Sequence, residues 1–597
     1  MLAVAVTFDE AHQTLADMMS REGGVSDWSS SHNSPLELSK LALIDFAHPN
    51  SKKPRTPLQL QSTEVKPTDH ARYLGVIFDQ HLNWKAQHAH AIEKGAKWTA
   101  QIRRVTRLSW GVTPKYARRL YISVALPRIL YGADVWCQLT PSERRGFKAR
   151  VSAKAVKILA TTQRAGALAI TGGLRTSPTD TLDALSSLLP AELTIVKICH
   201  RAFTRMAMLP ADHPLHKHIK SNDARRIKRH RTPIHNLREL FDRDPRTIEK
   251  IPSTARDPEQ HGKFPFTISI AEDRANSIEE AENATEDLLI YTDGSAIEGK
   301  VGAAAACYDR EGLVRVTHFH LGPDTEHTVH EAELVGMLLG LHFADKANVK
   351  YKQIAIGVDS QAALMTLQSD LRSPGQHLAR EILLIANRIQ KRKGRRKLKL
   401  TFRWTAGHEG IEGNEKADEE AKKAAKGLTT DKPSLPSYLR RTLLTNPSAV
   451  SQQNFAALKK DWTNTWRNST RGAKLLKLDK TTPSKGFLKR LSNPTLSCAA
   501  SSLISQLAIT HVPLNAYLKR FKKVDSARCP ACGTDEESVE HFLLACPGYA
   551  SERWMFKNEA TKLSKTLKME TILGDPDLTI PLANFIDATH RFKPTTS

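Results

Sequence analysis

Between residues 293 and 418 the chain carries four carboxylates whose settings can do chemistry: Asp293 in YTDGS, Glu333 in TVHEAELVGM, Asp359 in IGVDSQ and Asp418 in GNEKADEEA. Asp293 and Asp359 each end an apolar run, LLIYTD and IAIGVD, that reads as a strand, and open α/β sheets commonly place sites at strand ends. Two aspartates at neighbouring strand tips repel, so such a pair persists where cations or solvent lie between them. Glu333 falls in a segment whose Leu334, Leu338 and Leu341 recur at helical spacing. Thr328 and Glu331 form a capping box at the start of that helix, which gives Glu331 a structural task and leaves Glu333 as the better candidate ligand. Asp418 lies one turn into a helix that Asn414 can cap, and His408 lies in the preceding glycine-containing loop WTAGHEGIEG. Taken singly, each acid reads better as an ordinary surface or capping residue. Taken together, they fall on strand end, helix start, strand end and helix start, in that order.

A second constellation, Cys529, Cys532, His541 and Cys546, has the spacing C-x2-C-x8-H-x4-C, four ligands at the count that tetrahedral Zn²⁺ requires. With no position left for water, the ion would be structural. Such a knuckle can dock single-stranded RNA or DNA, or pin the C-terminal region; both readings stay open.

The elements that must position these residues alternate between Leu288 and Lys426 as in an α/β unit. LLIYTD, AAAACYD, LVRVTHFHL, IAIGVD and LKLTFRW read as five strands, with helices after the third, fourth and fifth. At 597 residues the chain exceeds what one core supports, and several domains are expected. Residues 1–140 hold a turn-rich start and then basic amphipathic helices. Residues 141–220 read as a helical connector, 221–284 as a charged linker, 285–428 as the α/β domain, and 429–597 as a basic helical region with the knuckle at 529–546. Lys and Arg number 88 against 63 Asp and Glu, a formal charge of +25 with a pI near 9.7, which favours a polyanionic partner, nucleic acid first. No apolar run approaches the roughly 20 residues that span a bilayer, and the opening MLAVAVTFDEAHQ is no secretory signal, so an intracellular protein without a membrane partner is expected, its compartment and oligomeric state open. Seven cysteines are too few for a disulfide framework.

The runs YTDGS, HEAELVGM, VDSQAAL and WTAGHEGIEGNEKAD, in this order over about 140 residues, resemble type 1 ribonuclease H. The resemblance implies a five-stranded mixed sheet with flanking helices, Asp293 and Asp359 on adjacent strands, and Glu333 and Asp418 closing the site. It implies an enzyme that cuts the RNA strand of RNA–DNA hybrids with two Mg²⁺ or Mn²⁺ ions, for which oxygen-only ligands are suited. By the same likeness Asp293 is shared by both ions, Asp359 and Glu333 hold one, Asp418 the other, and His408 assists proton transfer or product release. Ala406 stands where the family often has proline, a departure that would loosen the His408 loop. Hybrid selectivity would come from 2′-hydroxyl and groove-shape contacts with phosphate neutralisation. The run KRKGRRKLK at 391–399 either tracks those phosphates or is a solvated basic turn.

ARYLGVIFDQHLNWKAQHAHAIEKGAKWTAQIRRV and PKYARRLYISVALPRILYGADVWC, within residues 71–137, resemble the thumb-side end of a non-LTR (LINE-like) retrotransposon reverse transcriptase. In that family a ribonuclease H domain follows the polymerase and a Cys/His knuckle can lie beyond it. The chain has no Tyr-x-Asp-Asp motif, so no DNA polymerase activity is expected of it. The rival to an active ribonuclease is a catalytically silent nucleic-acid-binding remnant of such an element.

Overall fold

The computed structural model describes all residues except 38–39, 48–49, 51–54, 61–62, 107–110, 142–148, 221–231, 242, 252–263, 370–372, 393–397, 484 and 593–597. Much of the expected linker and the centre of the 391–399 basic run therefore lie outside the described residues. The chain divides into two compact units, one of residues 1–196 with 459–597, the other of residues 197–458.

The second unit is built on a mixed sheet of six strands: β1 (Thr267–Ser269), β2 (Leu288–Ile297), β3 (Lys300–Asp309), β4 (Gly312–Pro323), β5 (Gln353–Val358) and β6 (Lys399–Trp404), in the spatial order β4-β3-β2-β5-β6-β1. Strands β2, β3 and β4 run antiparallel, whereas β5 pairs parallel to both β2 and β6. The five strands read from the sequence are all present. The sixth, β1, corrects that count: it pairs parallel to β6 through Thr267, Ile268 and Ser269, inside the stretch read as linker. Three residues carry no periodicity, so only the neighbouring strand identifies them.

Five helices bear on the sheet or its edges: α1 (Arg274–Glu282), α2 (Val329–Lys346), α3 (Gln361–Gln368), α4 (Gln376–Lys391) and α5 (Glu412–Ala425). Helix α2 is apolar on every side, with Ala332, Leu334, Val335, Met337, Leu338, Leu339 and Leu341 fully buried, which is the pattern of a helix enclosed by the core. Helix α5 buries instead a stripe of alanines, Ala417, Ala421, Ala424 and Ala425, and β3 answers with Ala304 and Ala306 on the face they share with Gly302. Small residues on both partners bring backbones together. A Cβ at Gly302 would lie 2.0 Å from the Ala425 nitrogen, so only glycine admits the helix at this distance.

The first unit is mostly helical, with a small hairpin of His70–Tyr73 and Val76–Asp79 and the Lys85–Val105 helix in its N-terminal part. Its C-terminal part packs Phe487, Ile504, Phe542, Phe556 and Phe585 into one core that also contains Cys529 and Cys546. Among the described residues, no helix is long and apolar enough to cross a membrane.

Candidate active site

Strand pairing brings the two aspartates together. The parallel register matches Val358 with Thr292, so Asp359 and Asp293 follow at adjacent positions on neighbouring strands. Asp293 is not at a strand tip, as its apolar run implied: β2 continues to Ile297 because β3 pairs with it as far as Lys300. Only the parallel partner stops, and that leaves the space beside Asp293 open.

Glu333 arrives from the second turn of α2. The helix begins at the capping box read from the sequence, with Thr328 Oγ1 accepting from the Glu331 amide at 3.2 Å and Glu331 Oε2 accepting from the Thr328 amide at 2.9 Å. Glycine at 294 sets how near the helix comes: a Cβ there would sit 2.5 Å from the Glu333 nitrogen. Ser295 pairs with Gly302 and Gly294 with Ala303, so alternation turns the two glycines to opposite faces of β2 and β3, one under α2 and one under α5.

One carboxylate oxygen each from Asp293, Glu333 and Asp359 lies within 4.8 Å of the others. Asp293 and Glu333 are buried, and Glu333 Oε2 has no hydrogen-bond partner. Burial, then the charges of Asp359 and Asp418, push the Asp293 carboxyl up to about 7, against the partial relief of the Gly294 amide and Lys422. Burial, then the charges of Asp359 and Asp293, hold Glu333 well above the usual carboxylate range. Asp359 is raised for the same first reason, with His408 pulling the other way.

Asp418 stands outside the group of three, although its charge reaches both aspartates. Its Oδ2 accepts from Lys422 Nζ at 2.6 Å. Helix α5 starts at Glu412 with Ile411 as its cap residue; Asn414, expected to cap, is instead buried inside the first turn with Oδ1 unpartnered. The cap assignment fails because the helix begins three residues earlier, where the glycine at 413 packs against the Tyr291 ring and a Cβ would come within 2.3 Å.

The loop carrying His408 is held, not loosened, at Ala406. The Ala406 amide donates to Ser277 Oγ at 3.0 Å, and that hydroxyl donates to the Trp404 carbonyl at 3.0 Å. Proline at 406 has no N–H and could not make the first bond. Arg274 pairs with Glu409 from the same helix α1. The Trp404 indole donates to the Asp359 carbonyl at 3.0 Å, tying the loop to the aspartate it faces. His408 itself has φ of 59°, between Gly407 and Gly410. Sequence reasoning missed Lys422 and Ser277. The i, i+4 spacing of Asp418 and Lys422 was a usable signal for the first; nothing local marked the second.

Residues 285–426 match the RNase H family. This segment is an RNase H domain. Among solved structures, the chain is similar to RNase H1 from the archaeon Halobacterium salinarum, with 17% identity over 24% of this chain and 98% of that one and a TM-score of 0.18. It is similar to LC11-RNase H1 from compost, solved in complex with an RNA/DNA hybrid, with 19% identity over 23% and 96% and a TM-score of 0.19. It is also similar to the protease-reverse transcriptase of prototype foamy virus, with 20% identity over 24% and 22% and a TM-score of 0.20. No curated protein matches the sequence. Helix α1 and strand β1 lie upstream of the matched RNase H segment, so the Ser277 and Arg274 contacts are additions to it.

In the first unit, Cys529, Cys532, His541 and Cys546 also converge, one ligand atom from each lying within 4.8 Å of the rest. Cys529 Sγ is 3.5 Å from Cys546 Sγ, and Cys532 Sγ is 3.5 Å from His541 Nε2. The Thr534 hydroxyl and backbone amides nearby lower the Cys532 thiol to about 6, whereas burial pushes the Cys546 thiol up to about 12.

Proposed function

We propose that the RNase H domain hydrolyses the RNA strand of RNA–DNA hybrids by type 1, two-metal-ion chemistry. The observation that carries this reading is the crowding of one carboxylate oxygen each from Asp293, Glu333 and Asp359 within 4.8 Å, in mostly buried positions. The donor set fits Mg²⁺ or Mn²⁺: it is all oxygen, its mutual repulsion needs a counter-charge, and Glu333 Oε2 is an acceptor with nothing to accept from. Asp293, Glu333, Asp359 and Asp418 would hold the ions. When bound, they supply activation of a water and neutralisation of the phosphate being cleaved.

The chain's own residues divide the remaining work. Asp293 is central, since Asp359 and Asp418 both act on it and it acts in turn on Glu333. Asp418 must exchange its Lys422 partner for the site, and Lys422 is then free to meet a phosphate oxygen. His408, facing Asp359 from a loop fixed by Ser277 and Trp404, takes or gives a proton at an imidazole nitrogen as product leaves. Hybrid binding would be phosphate-driven and would weaken with salt.

We also propose that Cys529, Cys532, His541 and Cys546 hold a structural Zn²⁺; four soft or borderline ligands leave no open position, and a thiol lowered to about 6 is already largely thiolate at neutral pH. On the sequence likeness of residues 71–137 and the order of the parts, we infer that the chain derives from a non-LTR retrotransposon polyprotein.

The experiment is a labelled RNA–DNA hybrid incubated with Mg²⁺ and either wild type or Asp293→Asn. Cleavage by the wild type alone is expected. The second reading, a silent binder, draws on the Asp418–Lys422 ion pair, which keeps the fourth acid occupied. It wins if both proteins bind the hybrid alike and neither cuts it.

A further inference from the structure

We propose that Glu249, upstream of the RNase H segment, is a positioning residue for its active site: it caps α4 and, with Thr445 and Asn446 from downstream, fixes where α2 begins and so where Glu333 meets the sheet. The proposal rests on the reading of Glu333 as a metal ligand. Helix α4 starts at Gly375, which has φ of 90° and no side chain with which to cap the helix amides. Glu249 supplies the acceptor from a distant part of the chain. Its Oε2 accepts from the Gly375 amide at 2.8 Å and its Oε1 from the His377 amide at 3.4 Å. Glu249 is 1% exposed, so these bonds are screened from solvent.

Backbone bonds hold the glutamate in place and carry the connection to α2. The Glu249 amide donates to the Thr445 carbonyl at 3.1 Å, the Thr445 amide to the Thr247 carbonyl at 2.8 Å, and the Asn446 amide to the Glu326 carbonyl at 2.7 Å. Glu326 stands two residues before Thr328, the cap of α2. Segments from both sides of residues 285–426 therefore converge on the turn that feeds α2. Side chains repeat the link. A Cβ at Gly375 would lie 3.3 Å from Leu334 Cδ1 and 4.0 Å from Glu331 Cγ, so the start of α4 rests on the first turns of α2. Tyr438, also downstream, brings Oη to 2.6 Å from His377 Nδ1.

The position is unfavourable for an acid taken by itself. Burial, more than the charge of Glu331, pushes the Glu249 carboxyl up to about 7, against the relief of the two amides and of Arg380. Glu331 is fully buried as well, with Oε1 unpartnered. Two glutamates at neighbouring helix starts repel; they stay together because each caps a helix and the backbone pairing of 247–249 with 445 holds one of them there. Without Glu249 the α4 amides lose their acceptor, and α2 loses the fixed neighbour on which its first turns pack. Glu333 can then shift relative to Gly294, whose close approach to α2 sets the place of the ligand.

The test uses the intact chain, wild type beside Glu249→Ala and Glu249→Gln, and first reads amide hydrogen exchange without metal. In Glu249→Ala, exchange should rise roughly tenfold at residues 375–377 and also at residues 326–331, while strand β5 stays protected, because loss of a buried acceptor opens both helix starts. The second readout is Mn²⁺ alone, followed by its free-ion magnetic resonance signal and counted as the binding that Asp293→Asn loses. Glu249→Ala should hold it roughly tenfold more weakly, the low end for groups that support a metal's ligands. Glu249→Gln keeps an oxygen for the Gly375 amide and should retain both properties. If Glu249→Ala does not fold, Glu249→Asp, whose oxygens are drawn back by one methylene, is compared in its place. Unchanged exchange at 326–331, or an unchanged Mn²⁺ affinity, overturns the proposal and leaves Glu249 a cap of α4 only. Wild type that binds no Mn²⁺ sinks instead the metal reading of the site, and exchange at 326–331 then decides alone whether Glu249 holds α2.

Discussion

Replacing Asp293 by asparagine should abolish cleavage and, without metal, make the protein more stable. The carboxyl is raised from 3.8 to about 7 by burial and by two other acids. A shift of about 3 units, at ~1.4 kcal/mol each, sets an upper bound on the order of 4 kcal/mol for the penalty of ionising it in the fold. Asparagine removes that charge, relieves Glu333 and Asp359, and can donate from Nδ2 to their oxygens. A gain on the order of 2–3 kcal/mol at pH 8 is expected, or roughly 5–10 °C in Tm for a unit of this size. The sign follows from linkage: a folded pKa above the unfolded one leaves stability intact below pH 3.8 and removes it as pH rises through 7. The advantage of Asp293→Asn should therefore be largest above pH 7 and shrink towards pH 4. Added Mg²⁺ should reverse the order, because it stabilises only the ionised cluster, and more at pH 8 than at pH 6. The assay is thermal unfolding of the intact chain in a pH series, with and without Mg²⁺. If the variant melts at or below the wild type at pH 8 in metal-free buffer, or if Mg²⁺ shifts both equally, the charge-crowding argument is wrong.

Removal of zinc by a chelator, or Cys529→Ser, should lower the melting temperature of the first unit and expose the Phe542 core, read by dye binding, while hybrid cleavage at saturating Mg²⁺ continues; a melt unchanged by zinc would remove the structural site. Ser277→Ala should cost about 1–3 kcal/mol, since it leaves the buried Ala406 amide and Trp404 carbonyl without their partner, and should lower turnover more than hybrid affinity; unchanged stability and turnover would show that the loop needs no anchor. Gly294→Ala should destabilise the second unit by at least ~1–3 kcal/mol and cut Mg²⁺ affinity, because a Cβ 2.5 Å from the Glu333 nitrogen must displace α2; a wild-type-like melt and Mg²⁺ titration would refute the close approach.

Much of the second unit was legible because its signals are local. Apolar runs bounded by polar turns marked five strands, and the Thr328–Glu331 box marked where α2 begins and which glutamate it uses up. Local signals also misled. An apolar run ending at Asp293 looked like a strand tip, yet pairing with β3 carries β2 four residues further. Asn414 looked like a cap, yet Gly413 lets the chain enter the helix earlier against Tyr291. Strand β1 was invisible because three residues become a strand only when β6 offers its edge.

The order and identity of the acids, and of the Cys/His ligands, were determined by the sequence alone, since ligand type and spacing are covalent facts. Which oxygens come within 4.8 Å, that Asp418 stands apart with Lys422, and that Ser277 grips the His408 loop were decided only by tertiary structure. The physical reason is that these depend on how closely α2 and α5 approach the sheet, which is governed by glycines and alanines facing each other from distant parts of the chain, and no pattern within one segment records that meeting.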